Sequence, residues 1–378
     1  MTASPDTSPV KRIAIFGAGG GGTSAAAHLG TLGFDIRLYS QDPEALAPLQ
    51  ELGGINYTAP FGDGFAPIGL ITDDAEAAMA GAELVMIVSP AHLHEKWVSA
   101  AAPHLTEDQV LFVSPGHTLL MIPHVLREHG IKNPVFCETA TLPYLCRRIE
   151  PTKCKISRVS DFMVFGGFPG RETGRMYDVV KTVYPSVQQF SNVLETVFPY
   201  GNAIHHPPAV LCNVGRIEAT GGDYRHYYDG ITPSVGRLID AVDRERVAVA
   251  EALGAKTMPF VELFWRMGYT TDAARDTGIA YEAFHQSEPD KWIMAPTSLD
   301  NRYLLEDVPY GHLIYQELGR LAGVPTPTID HIIHLASVIM QRDFRAEGLT
   351  LARMGFGDIT RDEFLNLLTN GFDDGSNV

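Results

Sequence analysis

At 378 residues, with 45% hydrophobic and 20% charged residues, the chain is too long for one ordinary core and too apolar to stay unfolded, so two globular domains are expected. A net charge of −16 with no offsetting basic stripe excludes a nucleic-acid partner on electrostatic grounds. No stretch approaches the ~18 uncharged apolar residues of a membrane span, and Cys137, Cys146, Cys154 and Cys212 follow neither metal-ligand nor disulfide spacing, so a reduced, cytoplasmic protein is expected.

The opening "MTASPDTSPV" has no apolar segment of the secretory kind, and its Pro, Ser and Thr content predicts a disordered tail over residues 1–10. The next stretch, "KRIAIFGAGGGGTSAAAHLGTLG", begins with an apolar run at 12–16 that reads as a strand buried on both faces. Glycines follow at once, and a helix of small residues is expected from Ser24 to Leu32. Gly17, Gly19 and Gly22 fit G-x-G-x-x-G, with Gly20 in the same turn. That pattern serves a tight turn, close approach of backbone to a pyrophosphate, and close packing of helix on sheet. The helix start then offers free N–H groups to the phosphates. A flexible glycine loop is the plain alternative, but the strand before and the helix after point to dinucleotide binding.

The strand "DIRLYS" (35–40) should end at the residue that reads the adenosine ribose. Ser40 stands there, followed by Gln41, and both can donate to a 2′-phosphate, so the reading leans to NADP. The alternative is Asp42 accepting from a 2′-hydroxyl, which would favour NAD.

Strands are expected within 82–90, 108–116 and 134–139, with helical stretches such as "MIPHVLREHG" between them. The alternation predicts a doubly wound parallel sheet of the Rossmann kind over residues 1–192. Cofactor and substrate sit at the carboxyl ends of such strands, which brings Ser89, Pro90 and Pro115 into the cofactor site. The H-x-H of "AHLHE" (91–95) has no third ligand in view, so it reads as a strand-end loop, and no metal is expected.

From about residue 193 to 378 the pattern is helical, and a mostly α-helical substrate domain is expected. "SVGRLIDAVDRERVAVAEALG" carries apolar residues at helical spacing up to Gly254. "YGHLIYQELGRLAGVPTP" reads as a helix ended by glycine, and "TPTIDHIIHLASVIMQRDF" as one opened by proline. His331 and His334 on the latter read as surface or partly packed residues.

The chemistry concentrates in "NAIHHPPAVLCN", just after the change of pattern, where a cleft between two domains would form. Histidine titrates nearest neutrality and suits a reaction that moves a proton alongside a hydride. It needs an orienting carboxylate, and "APTSLDNRYLLEDVPYG" offers Asp300, Glu306 and Asp307, beside Arg302. From the residues alone, either His205 or His206 could pair there, and a capped helix with a charged loop is the plain alternative.

Six stretches, "ETATLPYLCR", "NAIHHP", "YYDGITPSVGRLIDAVDRER", "NRYLLEDVPYG", "ELGRLAGVPTPTID" and "DFRAEG", together resemble the octopine/nopaline (opine) dehydrogenases, which include the N-(1-carboxyethyl)-amino acid dehydrogenases. With the glycine turn they run in order through nearly the whole chain. The resemblance implies NAD(P)H-dependent reductive condensation of an α-keto acid with an amino acid or amine, through an imine, and the reverse oxidation. It implies His206 as the proton donor and acceptor, in the N-A-x-x-H-P context, and Asp307 as its partner. Arg302 would grip a substrate carboxylate, with Thr141, Cys146 and Asn202 also assigned to substrate. Ser40 departs from the acidic residue frequent in the family at the ribose position. A homodimer is expected. Two other readings stay open: a 2-hydroxy- or keto-acid dehydrogenase of similar layout, and a nucleotide-binding sensor without catalysis.

Overall fold

Apolar runs long enough for strands but too short for helices build the first half of the molecule. The computed structural model describes Pro5 and residues 8–372. The strands in chain order are β1 (Arg12–Phe16), β2 (Asp35–Tyr39), β3 (Gly54–Ala59), β4 (Gly62–Pro67), β5 (Leu70–Thr72), β6 (Leu84–Ile87), β7 (Val110–Val113), β8 (Phe136–Thr139), β9 (Tyr144–Glu150), β10 (Lys153–Val159), β11 (Met163–Phe168) and β12 (Val187–Gln189). Eight of them form one sheet in the order β12-β11-β8-β7-β6-β1-β2-β5. Its central strands β6 and β7 are buried along their whole length, as their uninterrupted aliphatic and aromatic residues require.

The sheet is not purely parallel, which corrects the expectation. β11 runs antiparallel to β8, with Phe165 opposite Thr139. The chain between them is the antiparallel pair β9–β10, with no crossover helix to carry it back, so the returning strand arrives reversed. β9 and β10 join β3 and β4 in a second sheet, ordered β4-β3-β10-β9.

The expected disordered tail is also corrected where it is described. Val10 is wholly buried, and the Ser8 hydroxyl pairs with Thr182 Oγ1 at 2.6 Å. Residues 1–4, 6 and 7 of that tail lie outside the described residues.

The chain divides into two compact units, one running to Thr196 and regaining the residues from Asn366, the other spanning Val197–Leu365. Among the described residues, Asn366–Phe372 group with the first unit.

In the first unit, helix α1 (Gly20–Thr31) follows β1, and α2 (Pro43–Leu52) follows β2. The second unit is helical. Its helix α3 (Gly201–Leu211) carries the adjacent histidines. Helix α4 (Pro233–Ala252) starts with proline in its first turn under a Thr232 cap and turns Val235, Ile239, Val242 and Val249 inward. Helix α5 (Leu313–Ala322) stops at Gly323, whose φ of 70° suits glycine, and α6 (Pro327–Met340) opens on proline. The wholly buried Arg246 of α4 pairs with Asp243 at 2.6 Å and donates to the Phe198 carbonyl at 2.8 Å, which fixes the segment leading into α3. Among the described residues no helix is long and apolar enough to cross a membrane.

Candidate active site

The glycine turn of the first unit is built for a ligand as well as for packing. Gly17 holds φ 118°, and a Cβ there would lie 2.5 Å from the Val88 carbonyl oxygen. A Cβ on Gly22 would lie 1.7 Å from the Gly17 carbonyl oxygen. Gly19 differs: a Cβ there would meet nothing within 4 Å. Gly19 is the N-cap of α1, no side chain caps that helix, and no acidic residue stands in its first turn. Its leading N–H groups are therefore left to an anion. These residues fit a dinucleotide pyrophosphate. Gly20 packs closer to the second sheet, with its Cβ position 3.1 Å from the Arg148 backbone nitrogen.

At the end of β2, Ser40 is buried and its Oγ accepts from the Asp42 N–H at 3.2 Å. Asp42 does not present its carboxylate for a ribose: it caps α2, accepting from the N–H groups of Glu44 and Ala45. Arg37 is paired with Asp35 at 3.1 Å. Gln41 donates to the Tyr39 hydroxyl at 3.0 Å.

The strand ends beyond β6, β7 and β8 hold a buried polar cluster. Ser89 leads into Pro90, and its carbonyl takes the Nε2 side of His94 at 3.1 Å. His94 Nδ1 meets Thr118 Oγ1 at 3.2 Å, so both nitrogens of this histidine are occupied by protein groups. Ser114, which precedes Pro115, pairs through its hydroxyl with Thr139 at 2.7 Å, and Thr139 donates to the Thr141 carbonyl at 2.9 Å. Thr141 thus lies with the strand ends. Cys146, assigned with it to substrate, lies elsewhere: its Sγ meets the Gly20 carbonyl at 3.5 Å, which groups it with the glycine turn. β9 packs against α1, which brings Cys146 to that turn.

Glu138, wholly buried at the end of β8, accepts from the His117 N–H at 3.1 Å and from the Thr196 hydroxyl. Burial pushes its carboxyl up to about 8. The folded protein therefore keeps a proton that the unfolded chain releases near pH 4.5, and this group makes stability fall as pH rises from there to about 8. Glu138→Gln keeps an acceptor oxygen and should raise Tm at pH 8 by ~5 °C with little change at pH 4.5. Thermal melts at the two pH values check this.

In the second unit, α3 and the segment after the single helical turn Arg302–Leu305 bring two candidates together. His206 Nδ1 stands 2.7 Å from Asp307 Oδ2, and both side chains are almost fully buried. The other carboxylate oxygen accepts from the Tyr200 hydroxyl. His206 Nε2 meets the Tyr227 hydroxyl at 2.8 Å. Tyr303 stacks on the imidazole, with ring centroids 3.8 Å apart. Burial, with His226 and Arg302 nearby, holds His206 well below the usual histidine range. Burial raises Asp307 to about 7, against the opposing pull of Arg302 and Tyr200. Both shifts have the same leading cause, the loss of water around a charge.

His205 is excluded from the pair. Its ring lies among Phe284 at 5.0 Å, Phe260 at 5.4 Å and Tyr227 at 5.6 Å, a neutral aromatic setting. Asp300 is exposed, and Glu306 is buried with its Oε2 3.2 Å from Arg302 Nε. Arg302 remains 57% exposed, so its guanidinium is accessible from solvent. Asn202 lies partly exposed in the first turn of α3. His334 is exposed, and His331 turns back onto the Pro327 carbonyl at 2.5 Å. Reading the sequence missed Tyr200, Tyr227 and Tyr303 around the imidazole. The signal was the tyrosine content of "FPYG", "HYYDG" and "NRYLL", next to or within the motifs themselves.

Residues 189–340 match the NAD/NADP octopine/nopaline dehydrogenase α-helical domain, and residues 12–116 match the NAD-dependent glycerol-3-phosphate dehydrogenase N-terminus. An opine dehydrogenase of Arthrobacter sp. (strain 1C) is 32% identical over 93% of this chain and 96% of its own. A vitopine synthase of Allorhizobium ampelinum is 26% identical over 76% and 78%. An octopine dehydrogenase solved with NADH and agmatine superposes with a TM-score of 0.76 at 19% identity, covering 96% of this chain and 98% of that one. A yersinopine dehydrogenase with NADP+ bound gives 0.70 at 13% identity over the same shares. With a relative of 32% identity spanning nearly all of both chains, and a Rossmann-type sheet unit followed by a helical one, this chain belongs to the octopine/nopaline (opine) dehydrogenase family of NAD(P)-dependent oxidoreductases acting on CH–NH groups.

Proposed function

We propose that this chain joins an α-keto acid to the amino group of an amino acid or amine by reductive condensation, and catalyses the reverse oxidation, with His206 as acid and base. The observation that carries the reading is the buried His206–Asp307 pair at 2.7 Å. A bound NAD(P)H supplies the hydride that reduces the imine. The chain's own residues manage protons and position. His206 Nε2 takes a proton from the substrate ammonium, freeing the amine to add to the keto carbon, and returns it to the hydroxyl that leaves as water when the imine forms; the oxidative direction reverses these transfers. Asp307 holds Nδ1–H, which aims Nε2 at the substrate and steadies the imidazolium. Tyr227 occupies Nε2 until substrate replaces it. Arg302, accessible to solvent, anchors a substrate carboxylate through its planar fork. Thr141 and Asn202 complete the substrate contacts in this reading.

The related octopine dehydrogenase has been solved with pyruvate and with L-arginine, a keto acid and an amino acid, which supports the same substrate classes here. Cofactor consumption should require both a keto acid and an amine. The decisive assay follows NAD(P)H over a panel of keto acids with and without amines. Equal turnover without amine would instead identify a keto-acid reductase.

For the cofactor we propose acceptance of both forms with a preference for NADP. The support is the ribose corner, where Asp42 is committed to capping α2 and Ser40 and Gln41 can donate to a phosphate. Ser40→Asp should move the NADP/NAD ratio of kcat/KM toward NAD by about tenfold or more, the effect of ~1.4 kcal/mol of differential binding. An unchanged ratio would place phosphate recognition elsewhere.

We further propose a cytoplasmic homodimer. No disulfide joins Cys137, Cys146, Cys154 or Cys212, which suits a reducing compartment, and the exposed Trp292, Leu335 and Val338 offer apolar surface for a second copy. Light scattering in solution tests the assembly.

A further inference from the structure

Helix α3 contains Pro207 and Pro208, yet continues to Leu211. A proline has no N–H, so Pro207 leaves the carbonyl of Ala203, four residues earlier, without its helical donor. That carbonyl is not left bare. His312 Nε2 lies 2.6 Å from it. The carbonyl can only accept, so this nitrogen carries the proton, and His312 Nδ1 meets no partner among the described residues. His312 is wholly buried, and burial lowers it to about 4, so it stays neutral.

The same residue holds the other half of the pair. The His312 backbone N–H donates to the Asp307 carbonyl at 3.0 Å, closing the π-helical turn Val308–His312. Gly311 lets this turn approach α3: a Cβ there would lie 2.4 Å from the Ala203 Cβ. His312 therefore grips Asp307 through its backbone and the turn beneath His206 through its ring.

We infer that His312 is a positioning residue that sets the His206–Asp307 spacing, by supplying to the Ala203 carbonyl the hydrogen bond that Pro207 withholds. This rests on the roles given to His206 and Asp307 above. The pair works at one separation, and a misplacement of about 1 Å can cost ~100-fold in rate. The proline opens a socket in α3, and the imidazole of the π-helical turn plugs it.

The test is a set of variants assayed for kcat, KM and Tm with a keto acid and amine that the chain turns over. His312→Phe keeps a ring but loses the donor, and should lower kcat about 10- to 100-fold with KM nearly constant. His312→Gln restores a donor and should recover most of that loss. The distinguishing variant is Pro207→Ala/His312→Phe, in which the introduced alanine supplies its own N–H to the Ala203 carbonyl. It should regain kcat and Tm relative to His312→Phe alone. Losses that simply add in the double variant, or a kcat unaffected by His312→Phe while His206→Ala is inactive, would overturn the inference. Turnover retained by His206→Ala would overturn the assignment beneath it, and the positioning role with it, whereas Tm recovery in the double variant reads the joint independently of turnover.

Discussion

His206→Ala is expected to lower kcat by ~100- to 10,000-fold, the usual worth of a positioned acid and base, and to leave NAD(P)H affinity nearly unchanged. The glycine turn, which would hold the pyrophosphate, belongs to a different folding unit from α3, so the substitution leaves that turn intact. Asp307→Asn should cost nearly as much, through a different route. An amide can donate to Nδ1 as readily as accept from it, and donation turns the wrong tautomer toward substrate. The two variants also separate by pH. Asp307 sits at about 7 because it is buried, so in the parent protein it gains a proton as pH falls through 7 and can no longer support an imidazolium. Activity should decline on the acid side of 7, and that decline should vanish in Asp307→Asn. Steady-state rates across pH 5–9, with a fluorescence titration of cofactor, measure both effects. Turnover within tenfold of the parent in His206→Ala would remove this residue from the chemistry.

Much of this site was legible because its parts obey local rules. The strand at 12–16, the glycines and the small-residue helix announce themselves within one short window, since the turn, the phosphate approach and the helix packing each demand glycine at a set place. Helices α4, α5 and α6 were legible from apolar spacing and from proline and glycine at their ends. The second sheet was harder. β10 does alternate, with Cys154 and Ile156 buried between lysine and serine residues, but its partner β3 lies about a hundred residues earlier, and pairing over that distance leaves no local mark. Helix α3 was the least legible element. Two prolines argue against a helix interior, and what permits them at Pro207 is a donor from His312, more than a hundred residues away. Likewise, periodicity cannot distinguish His205 from His206. Only packing shows one ring among phenylalanines and the other against a carboxylate.

Substituting two glycines of the same turn should separate fold from ligand. Gly22→Ala forces a Cβ into the Gly17 carbonyl oxygen, at 1.7 Å in the present backbone, and both atoms belong to the tightest part of the turn. The backbone must shift, at a cost of about 1–3 kcal/mol or more, so Tm should fall by several degrees and cofactor affinity with it. Gly19→Ala has the opposite signature. Gly19 has φ −76°, which any residue adopts, and its Cβ would meet no protein atom within 4 Å. Its Tm should therefore match the parent, or rise slightly through a less flexible unfolded chain. Its affinity for NAD(P)H should nevertheless drop about tenfold or more, because the methyl group occupies the space through which the pyrophosphate reaches the N–H groups of α1. Thermal melts and a cofactor titration on the two variants read these outcomes separately. Undiminished affinity in Gly19→Ala would mean that the phosphates are held elsewhere and that the open space above Gly19 has another purpose.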